Sequence, residues 1–497
     1  MSRIRNRQLI LALLVPFLSG FASVVHAASE PVAATQSTPV PAPAAFDLPA
    51  ALRYALDHNY AILEARERIR EQDGVILQVK SALLPRASVD AQYIMQDKAL
   101  GANLASPDTT QNMQDWSLGI TVTQLLYAGG GPSATTAAQK SLREAALLDL
   151  ESVINAALLD VRTRFYNALL AREQIKVQEE NLNLLEEQHT IAKNRYDAGA
   201  ASSFDVLRAQ VSIANAKPTL IRARNAYRNA LDQLRRSLGY ATEQTTATTA
   251  GGTTSVSSAP APSALQPFSP SAFSITGTLD APPATYDLAA SIAAALENRP
   301  ELKRLARLTD AGESAVIAAK SGYKPTVAVF GNYTIERNMT YGYNPAAPSI
   351  TDINLNNFGH QINGWNLGVQ GSWAVFDGRA TAGKVAQARS RLDQTRLQTS
   401  DAALAIEVEV RQSYNALQEA AELVDAAQKV TAQAEEALRL ANSRYSAGTA
   451  TQLDVLTTQV ALTETRLNQL QANYSYVVAV ASLRKATGQA DQIVSGN

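Results

Sequence analysis

Cysteine is absent from all 497 residues. That excludes disulfides, thiolate metal centres and an acylated N-terminal cysteine. Histidine is almost as scarce: His26, His58, His189 and His360 are scattered along the chain, so no metal or cofactor is expected. An excess charge of either sign is missing too, the formal net charge being −1, which argues against nucleic acid or an acidic surface as partner. No Ser/His/Asp order, phosphate loop or metal-ligand cluster stands out, so the chain is not expected to be an enzyme. Long apolar runs are lacking after the start. Arg3, Arg5 and Arg7 precede the one such run, Leu9 to Val25, and Val25-His26-Ala27 offers small residues for a cut near Ala27 or Ala28. Residues 1–28 therefore read as a secretory signal; Pro16, Ser19 and Gly20 speak against an uncleaved anchor. Beyond it nothing approaches the roughly 20 apolar residues of a spanning helix, so an exported chain would cross a membrane by strands.

What the chain does have, it has twice. Trp116-Ser117-Leu118-Gly119-Ile120 returns as Trp365-Asn366-Leu367-Gly368-Val369, about 249 positions on. Arg195-Tyr196-Asp197-Ala198-Gly199 with Phe204-Asp205-Val206-Leu207 returns as Arg444-Tyr445-Ser446-Ala447-Gly448 with Leu453-Asp454-Val455-Leu456. Lys80-Ser81-Ala82-Leu83-Leu84-Pro85 returns as Lys320-Ser321-Gly322-Tyr323-Lys324-Pro325, about 240 positions on. A period this long marks a duplicated domain rather than a solenoid. The expected organisation is a Pro/Ala-rich segment at 29–45, one repeat at 46–240, a Ser/Thr/Pro-rich linker at 241–284, a second repeat at 285–488 and a tail at 489–497.

Each repeat contains a run without glycine or proline, about 66 residues from Ser133 to Ala198 and about 64 from Lys384 to Ala447. Apolar residues recur at three- and four-residue steps in the first, as at Ala146, Leu150, Val153, Ala157, Val161 and Phe165, a coiled-coil seam. Gly199 and Gly448 end these helices. Ser202, Ser203, Thr449 and Thr451 are candidate caps for returning helices at about 203–238 and 452–487, with Asp205 and Asp454 in their first turns. Pro218 is expected to kink the first of these. Shorter helices at about 48–84 and 288–322 precede each unit, interrupted near Asn59 and at Pro300.

After Pro85 and Pro325 the pattern changes to period two. Strands are expected at about 86–96, 116–127, 326–337 and 365–376. Val89, Ala91, Tyr93 and Met95 stand on one face of the first, and Trp365, Leu367, Val369, Trp373 and Val375 on one face of the last. An apolar, aromatic-bearing face opposite a small or polar one fits a transmembrane barrel strand, with a soluble half-buried sheet as the alternative. The loops holding Gly101-Ala102-Asn103 and Asn344-Pro345 suit the outer side. Four strands cannot close a barrel and an open edge is not tolerated in lipid, so oligomers are required, two copies giving a filled interior and three a passage.

The combination resembles the TolC family of outer-membrane efflux proteins. The likeness rests on both repeats, the proline at each helix-to-strand junction, the Tyr127-Ala128-Gly129-Gly130 and Phe376-Asp377-Gly378-Arg379 exits, and the paired Arg-Tyr-x-x-Gly…Asp-Val-Leu tips. It implies an α+β membrane protein, a homotrimer whose twelve-stranded barrel continues into a twelve-helix periplasmic tunnel. It places the chain in the outer membrane of a Gram-negative bacterium. It further implies docking with a periplasmic adaptor (a membrane fusion protein) and, through it, an inner-membrane pump that expels small toxic compounds. Type I protein secretion, driven by an ATP-dependent exporter, is the alternative, and a non-conducting spacer a third. The family's tyrosine–aspartate–arginine gate maps onto Asp205 and Tyr445, with Ala450 where the arginine stands; Arg195 or Arg444 are the substitutes, and Tyr196 is a further tip residue. The aspartate constriction maps onto Asp454, its second member falling on Thr457. Adaptor contact maps onto Ala198, Gly199, Ala200 and Ala447, Gly448, Thr449.

Overall fold

A computed structural model describes residues 45–96, 113–240, 273–279, 285–340 and 360–489. The fold below is that of the unit from Phe46 onward. The expected signal, the outer loops and the residues beyond position 489 lie outside the described residues.

Each repeat folds in the same order: two short helices, two strands, a very long helix and a returning one. The first has α1 (Leu48–His58), α2 (Tyr60–Lys80), β1 (Arg86–Gln96), β2 (Met113–Ala128), α3 (Gly131–Asp197) and α4 (Ser203–Leu238). The second has α5 (Leu288–Asn298), α6 (Pro300–Lys320), β3 (Thr326–Thr340), β4 (His360–Ser372), α7 (Ala380–Ser446) and α8 (Gln452–Ala486). At 67 residues each, α3 and α7 are about 100 Å long. They start a little before the glycine- and proline-free runs. Pro132 occupies the first turn of α3, where its missing N–H costs nothing, and Gly383 lies in the first turn of α7. Helix α4 continues through Pro218.

The four strands form one antiparallel sheet in the order β1-β2-β3-β4, leaving β1 and β4 as edges. Its register carries one parity across the whole sheet. Val89 pairs with Ile120, Ile120 with Tyr333 and Tyr333 with Trp365; Ala91, Leu118, Ile335 and Asn363 make the next row. The rows between are Ser88, Thr121, Asn332 and Asn366, and Asp90, Gly119, Thr334 and Gly364. One face is thus mainly apolar, with Gln124 and Asn363 as exceptions, and the other mainly polar, with Phe330 as an exception. The apolar face is uncovered at its edges, Val89 being 67 % and Trp365 77 % exposed. Strand β4 ends at Ser372, sooner than the alternation suggests. Trp373 leaves the ladder and its indole N–H donates to the Tyr323 carbonyl at 3.1 Å, tying the strand exit to the end of α6.

Helices pack side by side. Helix α4 lies on α3, α8 on α7, and α8 also on α3, while α2 and α6 flank the upper part of α3 and α6 reaches α7. Short helices stack end to end on the returning ones. Gly239, with φ 68°, ends α4 directly beneath α2, where an added Cβ would stand 2.0 Å from the His58 carbonyl oxygen. Asn59 seals this joint, accepting from the Ala61 and Ile62 N–H groups and donating to the Ser237 carbonyl at 2.6 Å. In the second repeat Arg299 does the corresponding work, its guanidinium reaching the Ala486 carbonyl, Glu301 and Glu409.

The main core sits at this level, around Phe46, Leu52, Phe165, Leu169, Leu234 and Leu238. Part of the expected linker belongs to it. Phe273, Ile275 and Leu279 are buried there, the Thr276 N–H donates to the Phe46 carbonyl at 2.9 Å, and Arg172 holds the Ile275 and Gly277 carbonyls. Composition hid this piece because three apolar anchors are diluted among Ser, Thr, Pro and Gly. No described helix is long and apolar enough to cross a membrane.

Candidate functional site

Both long helices end in the same way. Gly199 and Gly448 adopt φ 72° and 77°. The N–H of Ala200 returns to the Arg195 carbonyl and that of Gly199 to Tyr196; Thr449 and Gly448 repeat this with Arg444 and Tyr445. This pair of hydrogen bonds closes a left-handed helix terminus that needs glycine at its turn. The next helices start on Ser202 and Thr451, each in a reciprocal capping box with the aspartate three residues on. Of the four cap candidates, Ser203 lies inside its helix and Thr449 lies in the turn.

The aspartates are therefore committed locally. Asp205 accepts from the Ser202 N–H at 3.3 Å. Asp454 accepts from the Thr451 N–H and hydroxyl, both at 2.8 Å. These bonds to the Thr451 backbone and hydroxyl, with the Arg444 charge adding, hold the Asp454 carboxyl below its ordinary range. Asp454 is exposed and Asp205 half-buried.

Tyr445 is engaged by an arginine rather than an aspartate. The Arg195 guanidinium lies 4.2 Å above its ring and also donates to its carbonyl at 3.1 Å. A planar cation over a π face, anchored by a hydrogen bond, is a specific contact between the two hairpins. Arg195 thus takes part in the tip network and Asp205 does not reach it among the described hydrogen bonds. Arg444 and Tyr196 are exposed. So are Ala198, Gly199, Ala200, Ala447, Gly448 and Thr449, and a Cβ added at either glycine meets nothing within 4 Å.

Above the tip, polar contacts join α3 to the second hairpin. Gln459 donates to the backbone and side-chain oxygens of Asn181, Thr463 donates to the Asn181 side chain, and Gln188 donates to Asn442. Arg466 bridges Glu180 and Glu435. Within the second hairpin an apolar cluster of Leu438, Ala441, Val455 and Leu462 adds to the Arg466–Glu435 pair and the bond from the Thr431 hydroxyl to the Thr465 carbonyl. Sequence reasoning missed the polar seam. Its signal was there: uncharged polar residues at seam positions of otherwise apolar stripes. No metal-binding group of side chains occurs among the described residues.

The family model described as outer membrane efflux protein matches residues 51–240 and 291–489. The chain is 22 % identical over 410 residues to outer membrane protein TolC of Vibrio cholerae, covering 82 % of this chain and 83 % of that one. It is 22 % identical over 356 residues to the alkaline protease secretion protein AprF of Pseudomonas aeruginosa, covering 71 % and 66 %. Among solved structures it superposes on the Campylobacter jejuni CmeC outer membrane channel with a TM-score of 0.67 at 16 % identity, covering 90 % of this chain and 88 % of that one. The duplicated strand-and-hairpin architecture is shared, and the matched segments break at the linker.

Proposed function

The chain belongs to the outer membrane efflux protein family and is an outer-membrane protein extending into the periplasm, and on that premise we propose that three copies form one conduit across both compartments. The observation that carries this is the sheet. It has two unpaired edges, one mainly apolar face open to its surroundings and one mainly polar face. In lipid such a sheet is stable only when closed, and twelve strands leave a lumen lined by the polar face. The helices continue the wall: α4 and α7 are the outermost members of the layer, and α7 exposes Leu397, Leu404, Leu423 and Val430 for a neighbouring copy.

At the far end, the turns at Gly199 and Gly448 receive a periplasmic adaptor, whose own helical hairpin can approach small exposed residues closely. An inner-membrane pump acting through that adaptor supplies the energy, the conduit itself carrying out no reaction. Small toxic compounds are the cargo in this reading. The likeness to AprF, an alkaline protease secretion protein, favours unfolded protein as the second reading. Arg195 on Tyr445 is the closing contact, and Asp454 sets a ring of negative charge at the entrance.

Planar-bilayer recording from the purified full-length protein tests the conduit. Discrete openings are expected, occurring more often with Arg195→Ala. Silence from correctly assembled protein, with Arg195→Ala as well, would support a spacer instead. Crosslinking in cells from Ala200→Cys and Thr449→Cys, read by mass spectrometry, separates the cargo readings: a proton-driven pump's adaptor means efflux, an ATP-driven exporter's adaptor means secretion.

A further inference from the structure

The duplication lets one observed contact forecast another. Hairpin α3–α4 meets hairpin α7–α8 within the chain, through Arg195 on Tyr445. Arg195-Tyr196 and Arg444-Tyr445 are equivalent positions of the two repeats. In a closed ring the second hairpin meets the first hairpin of the next copy, so the same relation brings Arg444 to the partner's Tyr196. Both side chains are exposed, Tyr196 to 48 %; the Arg444 charge acts on Asp454 of its own hairpin, and its face is open to a ring. Both stand on the end of a long helix that stops in the same glycine turn as its equivalent.

The other links that need both side chains are not repeated. Asn181, whose side chain receives Gln459 and Thr463, becomes Val430, leaving only a backbone carbonyl for the equivalent Gln210; Gln188, which bonds Asn442, becomes Ala437. The Glu180–Arg466 ion pair becomes Lys429 facing Lys217, two like charges. Of these contacts, only the tip pair keeps its residue types.

We propose that, in the trimeric conduit argued above and resting on that reading, Arg444 of each copy stacks over the partner's Tyr196. The closed tip is then held by alternating within-copy and between-copy clasps. The seam between copies, which lacks the side-chain-to-side-chain links of the seam within a copy, is where the tip parts first.

The absence of native cysteine makes this testable without background. Full-length Tyr196→Cys with Arg444→Cys, assembled in outer-membrane vesicles and treated with a short bismaleimide, should give dimers and trimers on a denaturing gel. The control pair, Arg195→Cys with Tyr445→Cys, should stay at monomer mass because it links one chain to itself. Native mass measurement on the same material separates the two ways of failing. A trimer whose Tyr196/Arg444 variant remains monomeric on the gel overturns the clasp and leaves the conduit standing; an assembly other than a trimer overturns both. In bilayers, Arg444→Ala and Tyr196→Ala should each raise open probability about two- to five-fold per clasp, while Tyr196→Phe, which keeps the ring, leaves it near the parent value. Unchanged opening with alanine, or a phenylalanine variant as open as alanine, contradicts a cation–π clasp.

Discussion

Gly199 and Gly239 have nearly the same left-handed backbone, φ 72° and 68°, but very different surroundings. Around Gly199 an added Cβ meets nothing, whereas at Gly239 it meets the His58 carbonyl at 2.0 Å. Gly199→Ala should therefore cost only backbone strain, about 1 kcal/mol, and Gly239→Ala clearly more, about 3 kcal/mol, because α1 and α4 must separate. Thermal unfolding followed by circular dichroism ranks the two. Asp454 makes a prediction of a different kind. Its carboxyl is depressed in the folded chain, so its capping contribution is complete above its ordinary range and fades only as pH falls through the lower folded value. Amide exchange at residues 452–456, corrected for intrinsic rate, should be flat between about pH 5 and 8, and Asp454→Ala should accelerate it. Loss of protection near neutral pH in the parent protein would contradict that placement. At this scale the sequence was legible in part. The glycine turns and cap positions follow from short-range stereochemistry, and so could be read. The partner of Tyr445 depends on how two hairpins approach, which local pattern does not encode; the expected aspartate is instead held by its own cap.

The joints between stacked helices are the element most open to test. Arg299 is 5 % exposed and bridges Glu301 at 2.9 Å and Glu409 at 2.8 Å, while Lys485 holds Glu409 at 2.7 Å. Burial alone would raise both carboxyls, but their bonds and charges with Arg299 and Lys485 outweigh it and hold them below the ordinary range. Arg299→Ala should cost about 2 kcal/mol, less than an orphaned fully buried charge because Glu409 is partly solvated. The sign with pH follows from depressed carboxyls: their contribution is complete above about pH 5 and is lost on acidification below it. Melting temperature should therefore be level from about pH 5 to 8 and fall below about 4, with a shallower acid limb in Arg299→Ala. An equal acid limb in both proteins would place the acid sensitivity elsewhere. Helix and strand positions were largely readable, because long runs free of glycine and proline and strict period-two alternation leave little choice of structure. The joints were readable only as breaks near Asn59 and Pro300; that Asn59 and Arg299 do equivalent work with different chemistry required the fold.

For the molecule as a whole, the open sheet and open helical layer support the proposal that one chain is a fragment of a closed wall. Sequence pattern leads to the same proposal through strand count and the rule against lipid-exposed edges, both of which act on totals rather than details. It did not reveal that residues 273–279 return to the core against Phe46 and Phe165, because a short ordered anchor inside a biased segment has no periodicity. That anchor predicts that Phe273→Ser with Ile275→Ser lowers thermal stability by about 3 kcal/mol or more, whereas a true linker would tolerate both. The most direct test of closure is native mass measurement of the full-length protein extracted from outer membranes in mild detergent. Three copies per particle are expected, with all sheet edges paired between them. A folded particle of one copy, its sheet intact in detergent, would contradict the account.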